Sequence, residues 1–140
     1  MQRREFIKSA CSLSLLVGSG ISLSGLTSCA SLPVYKTTVK QGKISVPVSL
    51  FADAAVQIVR PENYGYDIAV VQGRDGTYTA LLLRCTHANN QLNFTGSGFR
   101  CPLHGSTFET DGSVTHGPAQ APLEQLKTDV ENTVVVVEIG

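Results

Sequence analysis

The chain contains no tryptophan, and aromatic residues fill only 6% of its 140 positions. That is thin for the stacked rings that bind single-stranded nucleic acids. Charge of one sign is missing as well, since eleven basic residues balance eleven acidic ones. No basic field draws in a phosphate backbone, and no like-charge excess marks a disordered tail. Nucleic-acid binding is therefore not expected. The chain also lacks a nucleophile elbow, a phosphate-binding loop and a dinucleotide fingerprint, and Glu62, Asp67 and Glu109 form no evident catalytic carboxylate pair. Solenoid-type repeats and sustained heptads are absent too. What remains is a length that suits one folded unit and an apolar content of 42%, ordinary for a protein that buries a core. Thirteen glycines and six prolines demand many tight turns, and the composition leans towards an all-β fold.

The cysteines pose two separate problems, because Cys11 and Cys29 lie near the start while Cys85 and Cys101 lie deep in the chain. At the start, Arg3-Arg4 precedes Phe6-Ile7-Lys8, and a modest apolar run from Ala10 to Leu26 is broken by serines and by Gly18, Gly20 and Gly25. This is a signal-peptide profile, and the run falls short of the roughly 20 apolar residues of a membrane-spanning helix. The Arg-Arg-x-Phe-Ile-Lys pattern resembles a bacterial twin-arginine leader, which implies export of a protein that has already folded and taken up a cofactor. Leu26-Thr27-Ser28-Cys29 resembles a lipobox, which implies a lipid on the Cys29 sulfur and cleavage just before it. The expected division is a signal peptide over 1–28 and a mature domain over 29–140, the latter with eight basic and ten acidic residues. The plain alternative is that Cys29 is a small buried residue at the end of the leader. The expected location is the periplasmic side of a bacterial membrane, with the protein held by its lipid.

From Val34 onward the apolar pattern is short and alternating. Lys43 to Leu50 reads as a strand with one buried face, and Pro47 puts it at a sheet edge. Asp67 to Gln72 and Thr77 to Arg84 read as a hairpin turning at Gly73-Arg74-Asp75-Gly76. A second hairpin is expected at Glu131-Asn132, between Leu126 to Val130 and the run Thr133 to Ile139, whose nearly continuous apolar character suits the centre of a sheet. Asp111-Gly112 marks a further small hairpin. The intervening residues 85–122 are rich in Gly, Pro, Asn, Ser and Thr and carry all three histidines.

Within that insert stand Cys85-Thr86-His87 and Cys101-Pro102-Leu103-His104-Gly105-Ser106, so each segment offers one thiol and one imidazole. A Cys2His2 zinc finger groups its cysteines together and its histidines together; this chain mixes them. A two-iron cluster accounts for the mixing if one iron takes both cysteines and the other both histidines. Two rivals stay open. A disulfide between Cys85 and Cys101 would suit an exported protein but leaves the histidine spacings without a reason. A mononuclear zinc site could use the same four side chains.

At these residues the sequence resembles the Rieske family, whose pattern is Cys-x-His followed by Cys-Pro-x-His-Gly-Ser. The likeness extends through Phe108, Asp111-Gly112 and Gly117-Pro118-Ala119, the last similar to the family's proline loop, with Gln120 in place of a second proline. It implies an antiparallel β-sandwich with a small loop-built subdomain, about 85–122, holding a [2Fe-2S] cluster. By the same likeness Cys85 and Cys101 bind the inner iron, and His87 and His104 bind the outer iron near the surface. Neutral imidazoles in place of anionic thiolates make the cluster less negative and raise its potential; their outer nitrogens can couple proton to electron transfer, which suits a quinol partner. Ser106 matches the serine whose hydroxyl donates to a bridging sulfide. Phe108 stands where quinol-oxidising members often carry a tyrosine donating to a cysteine sulfur, so an intermediate potential is expected. Those members also join their two loops by a disulfide, at positions held here by Asn90 and Leu103. Packing by Leu103 is the expected replacement.

The functional expectation is one-electron transfer, by an exported carrier or the small subunit of an oxidoreductase rather than a stand-alone catalyst. Its redox partner would be a cytochrome, a quinol complex or a larger oxidoreductase subunit. The alternatives are the iron-sulfur subunit of a quinol-oxidising, cytochrome bc-type complex, the ferredoxin partner of a ring-hydroxylating oxygenase, which the export leader disfavours, and a zinc-stabilised binding module. His116 is expected as an exposed turn residue, Arg84 and Arg100 as solvated charges at strand ends, and Asn93-Phe94-Thr95 as a chance match to a glycosylation acceptor.

Overall fold

The computed structural model describes residues 33–140. Arg3-Arg4, the apolar run, Cys11 and the Leu26–Cys29 motif lie outside the described residues, and with them the readings placed on the leader.

Two sheets face each other. Five strands make the first: Val34–Thr37 (β1), Val56–Pro61 (β3), Ile68–Gln72 (β4), Tyr78–Leu82 (β5) and Gln125–Leu126 (β10), in the order β1-β3-β4-β5-β10. The second is β11-β12-β2, formed by Thr128–Glu131 (β11), Val134–Glu138 (β12) and Lys43–Pro47 (β2). The all-β sandwich follows the expectation. One pair departs from the antiparallel pattern, since β1 runs parallel to β3. Residues 38–55 explain it: the chain leaves the first sheet, contributes β2 to the second, and returns in its original direction, which makes the long crossover that parallel neighbours need.

Both large hairpins form where expected. Gly73 and Gly76 close the β4–β5 turn, and β12 lies in the centre of its sheet, with β2 and Pro47 at the edge. Three boundaries differ from the sequence reading. Val48 to Leu50 do not extend β2; they enter a 3-10 turn, Val48–Ala52. Pro47, opposite Val134, is the last residue of the strand, with its N–H-less side on the open edge, and the Val48 amide still reaches the Thr133 carbonyl at 2.8 Å before the chain turns. Leu126 to Val130 is divided between β10 and β11, because the chain changes sheets at Lys127. The strand expected over Thr77 to Arg84 is regular only to Leu82, beyond which Arg84 keeps a single bridge to Gln91.

Period-two alternation builds two cores from one sheet. Val59, Ile68, Val70, Ala80 and Leu82 point into the sandwich, against Ile44, Val46, Val135 and Val137. Their neighbours Ile58, Ala69, Leu81 and Leu83 point the other way, into a second core with Leu92, Phe99, Phe108, Leu123, Cys85 and Cys101. A sheet buried on both faces needs unbroken apolar strands, which is what Ile68-Ala69-Val70 and Ala80-Leu81-Leu82-Leu83 supply. The second core is covered by residues 85–122, where loops surround a small antiparallel sheet of Asn93–Phe94 (β6), Gly98–Arg100 (β7), Thr107–Glu109 (β8) and Val114–His116 (β9). The expected Asp111-Gly112 turn joins β8 to β9.

Candidate metal centre

Cys85 and Cys101 open two turns of the same construction. In the first, the Cys85 amide donates to the Asn90 carbonyl at 2.8 Å, and the Asn89 amide donates back to the Cys85 carbonyl at 2.8 Å. In the second, the Cys101 amide donates to the Ser106 carbonyl at 2.8 Å, and the Gly105 amide donates back to Cys101 at 3.1 Å. The residue four after each cysteine takes left-handed backbone, with φ 57° at Asn89 and 80° at Gly105. Glycine adopts that region freely and asparagine more readily than most residues. Each turn therefore curls its backbone round its cysteine, while His87 and His104 are carried outward.

The four donors come together as two pairs. Cys85 and Cys101 are free thiols, fully buried together in the second core. His87 and His104 are exposed, with ring centroids 4.9 Å apart and planes at 84°. Among the described residues, no three His, Cys, Asp or Glu side chains gather as a single metal ion would require. A mononuclear zinc site needs three or four ligands at one point. Two irons need a pair each, and this donor set fits a [2Fe-2S] centre.

Electrostatics at the buried end favour a thiolate. Burial pushes the Cys101 thiol up, but the amides of His104, Leu103 and Gly105 and the Cys85 thiol outweigh it together and hold the group below the ordinary thiol value. The thiolate is the form that ligates metals. Ser106 is buried beside this turn, and its Oγ accepts the Ala119 amide at 3.0 Å. That bond uses a lone pair and leaves the hydroxyl proton free to be donated. The Thr86 hydroxyl donates to the Ala121 carbonyl at 2.7 Å, so the loop that contains Gly117-Pro118-Ala119 is fastened to both turns.

Leu103 does not pack between the loops. It is 62% exposed, because the curl that points the Leu103 amide at Cys101 turns its side chain out. The first turn is held by polar bonds to other segments, Thr86 to Ala121 and the Tyr66 hydroxyl to the Asn89 carbonyl at 2.8 Å. Sequence patterning could not single out Tyr66, which belongs to the β3–β4 connection. His116 is exposed, but at the end of β9 rather than in a turn. Arg100 is a solvated strand end, whereas Arg84 pairs with Glu124 at 2.7 Å and lies over the Tyr66 ring. Asp67 forms no carboxylate pair; Arg60 grips it through two bonds of 2.8 and 2.7 Å. A further signal is readable in the sequence: residues 85–99, 101–108 and 112–123 contain no Asp, Glu, Lys or Arg. The exposed end is therefore uncharged.

Comparison with known proteins agrees with this geometry. The family profile of the Rieske [2Fe-2S] domain matches residues 46–127, more than half of the chain. The cytochrome b6-f complex iron-sulfur subunit of Chlorobaculum tepidum is 32% identical over 80 residues, which cover 56% of this chain and 44% of that one. The cytochrome b6-f complex iron-sulfur subunit 2 of a Nostoc species is 28% identical over 131 residues, covering 74% of this chain and 71% of that one. The chain thus spans less than half the length of the Chlorobaculum subunit. Among solved structures, the cyanobacterial plasma membrane Rieske protein of Synechocystis superposes with a TM-score of 0.57 at 26% identity, covering 68% of this chain and 98% of that one.

Proposed function

We propose, from the premise that the chain belongs to the Rieske [2Fe-2S] family, that it is a one-electron carrier in which Cys85 and Cys101 hold the inner iron and His87 and His104 the outer one. The observation that carries this reading is the matched pair of turns, with thiols meeting in the buried floor and imidazoles at the exposed end. When bound, the cluster supplies one-electron exchange at a potential raised by its two neutral ligands. The chain's own residues do the rest. Three backbone amides stabilise the Cys101 thiolate, Phe99, Phe108 and Leu92 keep water from the sulfur side, and Ser106 can offer a hydroxyl proton. The exposed histidines bring the outer end to the surface, where an uncharged rim suits a partner whose own docking face is apolar. Iron content together with the electron paramagnetic resonance spectrum of the reduced protein tests the reading; zinc in place of iron, or a silent spectrum, would return it to a binding module.

In this reading the leader over 1–28 exports the protein and Cys29 carries a lipid that holds it on the periplasmic side of the membrane, as an electron carrier or the small subunit of a larger oxidoreductase. Support comes from Arg3-Arg4 and from Leu26-Thr27-Ser28-Cys29. Mass spectrometry of the mature N-terminus is expected to find a lipidated Cys29, and an unmodified end elsewhere would remove the anchor. A second reading, the iron-sulfur subunit of a quinol-oxidising complex, is favoured by the b6-f subunits among the relatives and disfavoured by Asn90 and Leu103 at the positions of the bridge. Purification from mild detergent separates the two, through a cytochrome b that does or does not accompany the protein.

A further inference from the structure

We propose that Tyr66 is a positioning residue for the turn that carries His87, and that its hydroxyl bond to Asn89 restrains that turn, which has no covalent tie to the second turn in this chain. The inference rests on the Rieske reading above. The turn over 85–90 has its inner end at the buried Cys85, but its outer half projects into solvent: Thr86, His87, Ala88 and Asn89 are all exposed. Two side-chain bonds tie that half to other segments, one on each side of His87, while the Asn90 side-chain amide braces it from within by donating to the Ala88 carbonyl at 3.2 Å. Thr86 is tied to Ala121 at 2.7 Å, and Asn89 receives the Tyr66 hydroxyl at 2.8 Å. Asn89 is the left-handed corner, whose amide also closes the turn onto Cys85. Fixing its carbonyl therefore fixes the point where the chain doubles back.

Tyr66 can serve as a fixed post because its own neighbourhood is pinned. The Asp67 amide donates to Gln91 Oε1 at 2.9 Å, and its carbonyl accepts the Leu83 amide at 3.0 Å, so residue 67 bridges both sides of the neck from which the turn emerges. Arg60 locks the Asp67 carboxylate from the adjacent strand. The Tyr66 ring is backed by the Arg84 guanidinium 5.7 Å from its centroid, and Arg84 in turn reaches Glu124, just beyond the proline-containing loop. Exposed ion pairs contribute little by themselves, so the hydroxyl is the element to test.

The experiment uses the iron-loaded protein as wild type, Tyr66→Phe, and Tyr64→Phe as a control on the same connection. The readouts are the rate at which excess chelator bleaches the visible absorbance, the resonance line shape of the reduced cluster, and the far-UV melting curve. Tyr66→Phe is expected to bleach about two- to tenfold faster, the range of one lost hydrogen bond, with an altered line shape and a melting curve no lower than that of Tyr64→Phe. Arg84→Met, which removes the backing but keeps the hydroxyl, is expected to show a smaller acceleration. Bleaching of Tyr66→Phe at the wild-type rate, or only in proportion to its melting shift and with an unchanged line shape, would overturn the proposal. A wild-type protein without iron or signal would overturn the Rieske reading itself, which is apparent before any variant is compared.

Discussion

The Ser106 hydroxyl oxygen accepts the Ala119 amide at 3.0 Å in a site closed to water. A single atom thus fastens the loop over 117–122 to the second cysteine turn while its own proton stays free to be donated. Replacing Ser106 by alanine removes two things at once. The potential is expected to fall, because a hydrogen bond to a cluster sulfur favours the reduced, more negative state. The Ala119 amide is left buried without a partner, at a cost of about 1–3 kcal/mol. Protein-film voltammetry and thermal melting read the two effects separately; an unchanged potential in a destabilised protein would mean that the hydroxyl serves only the loop.

Phe108 offers the opposite experiment. It lies in the second core with both cysteines, and tyrosine would add one donor without changing the shape of the ring. If the new hydroxyl reaches a cysteine sulfur, voltammetry of Phe108→Tyr is expected to show a higher potential with stability retained. A potential equal to wild type, with a lower melting temperature, is the outcome for a buried hydroxyl that finds no acceptor.

How much of this was legible beforehand depended on how local the cause was. Asp75-Gly76 and Asp111-Gly112 announce their turns in two residues, and the four-valine run of β12 announces the central strand of its sheet. Cys85, His87, Cys101 and His104 were readable because each turn is a short contiguous segment whose backbone bonds close on itself. The hold on those turns was not readable. Leu103 was the natural candidate from its position, yet the curl that aims its amide at Cys101 exposes the side chain, and the bonds that hold the first turn reach from Tyr66 and Ala121, 23 and 35 residues away from their partners. Likewise the parallel β1–β3 pairing depends on a change of sheet, which no pattern within either strand encodes.

Two turns should respond to acid together. Asp75 accepts the Thr77 hydroxyl at 2.7 Å and the Thr77 amide at 3.1 Å, and Asp111 accepts the Ser113 hydroxyl at 2.6 Å and the Ser113 amide at 2.8 Å. In both, the hydroxyl bond first and the amide bond second lower the carboxyl pKa. A folded-state pKa below the unfolded one means that the carboxylate stabilises the turn above the ordinary carboxylate range, and that this contribution disappears as pH falls through the lowered value. Hydrogen-exchange protection of the Thr77 and Ser113 amides is expected to persist through the ordinary range and to drop only below it. In Asp75→Asn and Asp111→Asn that acid-induced drop should vanish at the altered turn alone.

Gly98 tests whether the small sheet under the cysteine turns tolerates any side chain at its first rung. It pairs with Glu109 across β7 and β8, and a Cβ placed there would collide with the backbone carbonyl oxygen of Phe108. The obstacle is main chain, so no rotamer change relieves it; either β7 moves away from β8 or Phe108 is lifted from the core. Overpacking of this kind costs about 1–3 kcal/mol, and the strain falls on the strand that leads directly into Cys101. Gly98→Ala is therefore expected to lower the melting temperature and to reduce the iron recovered per mole of folded protein. Gly76→Ala is the informative comparison. Nothing lies within 4 Å of a Cβ there, and its cost comes from the positive φ of 81° at a turn separated from Cys85 by the length of β5. If the account is right, the two variants can lose similar stability while only Gly98→Ala loses iron.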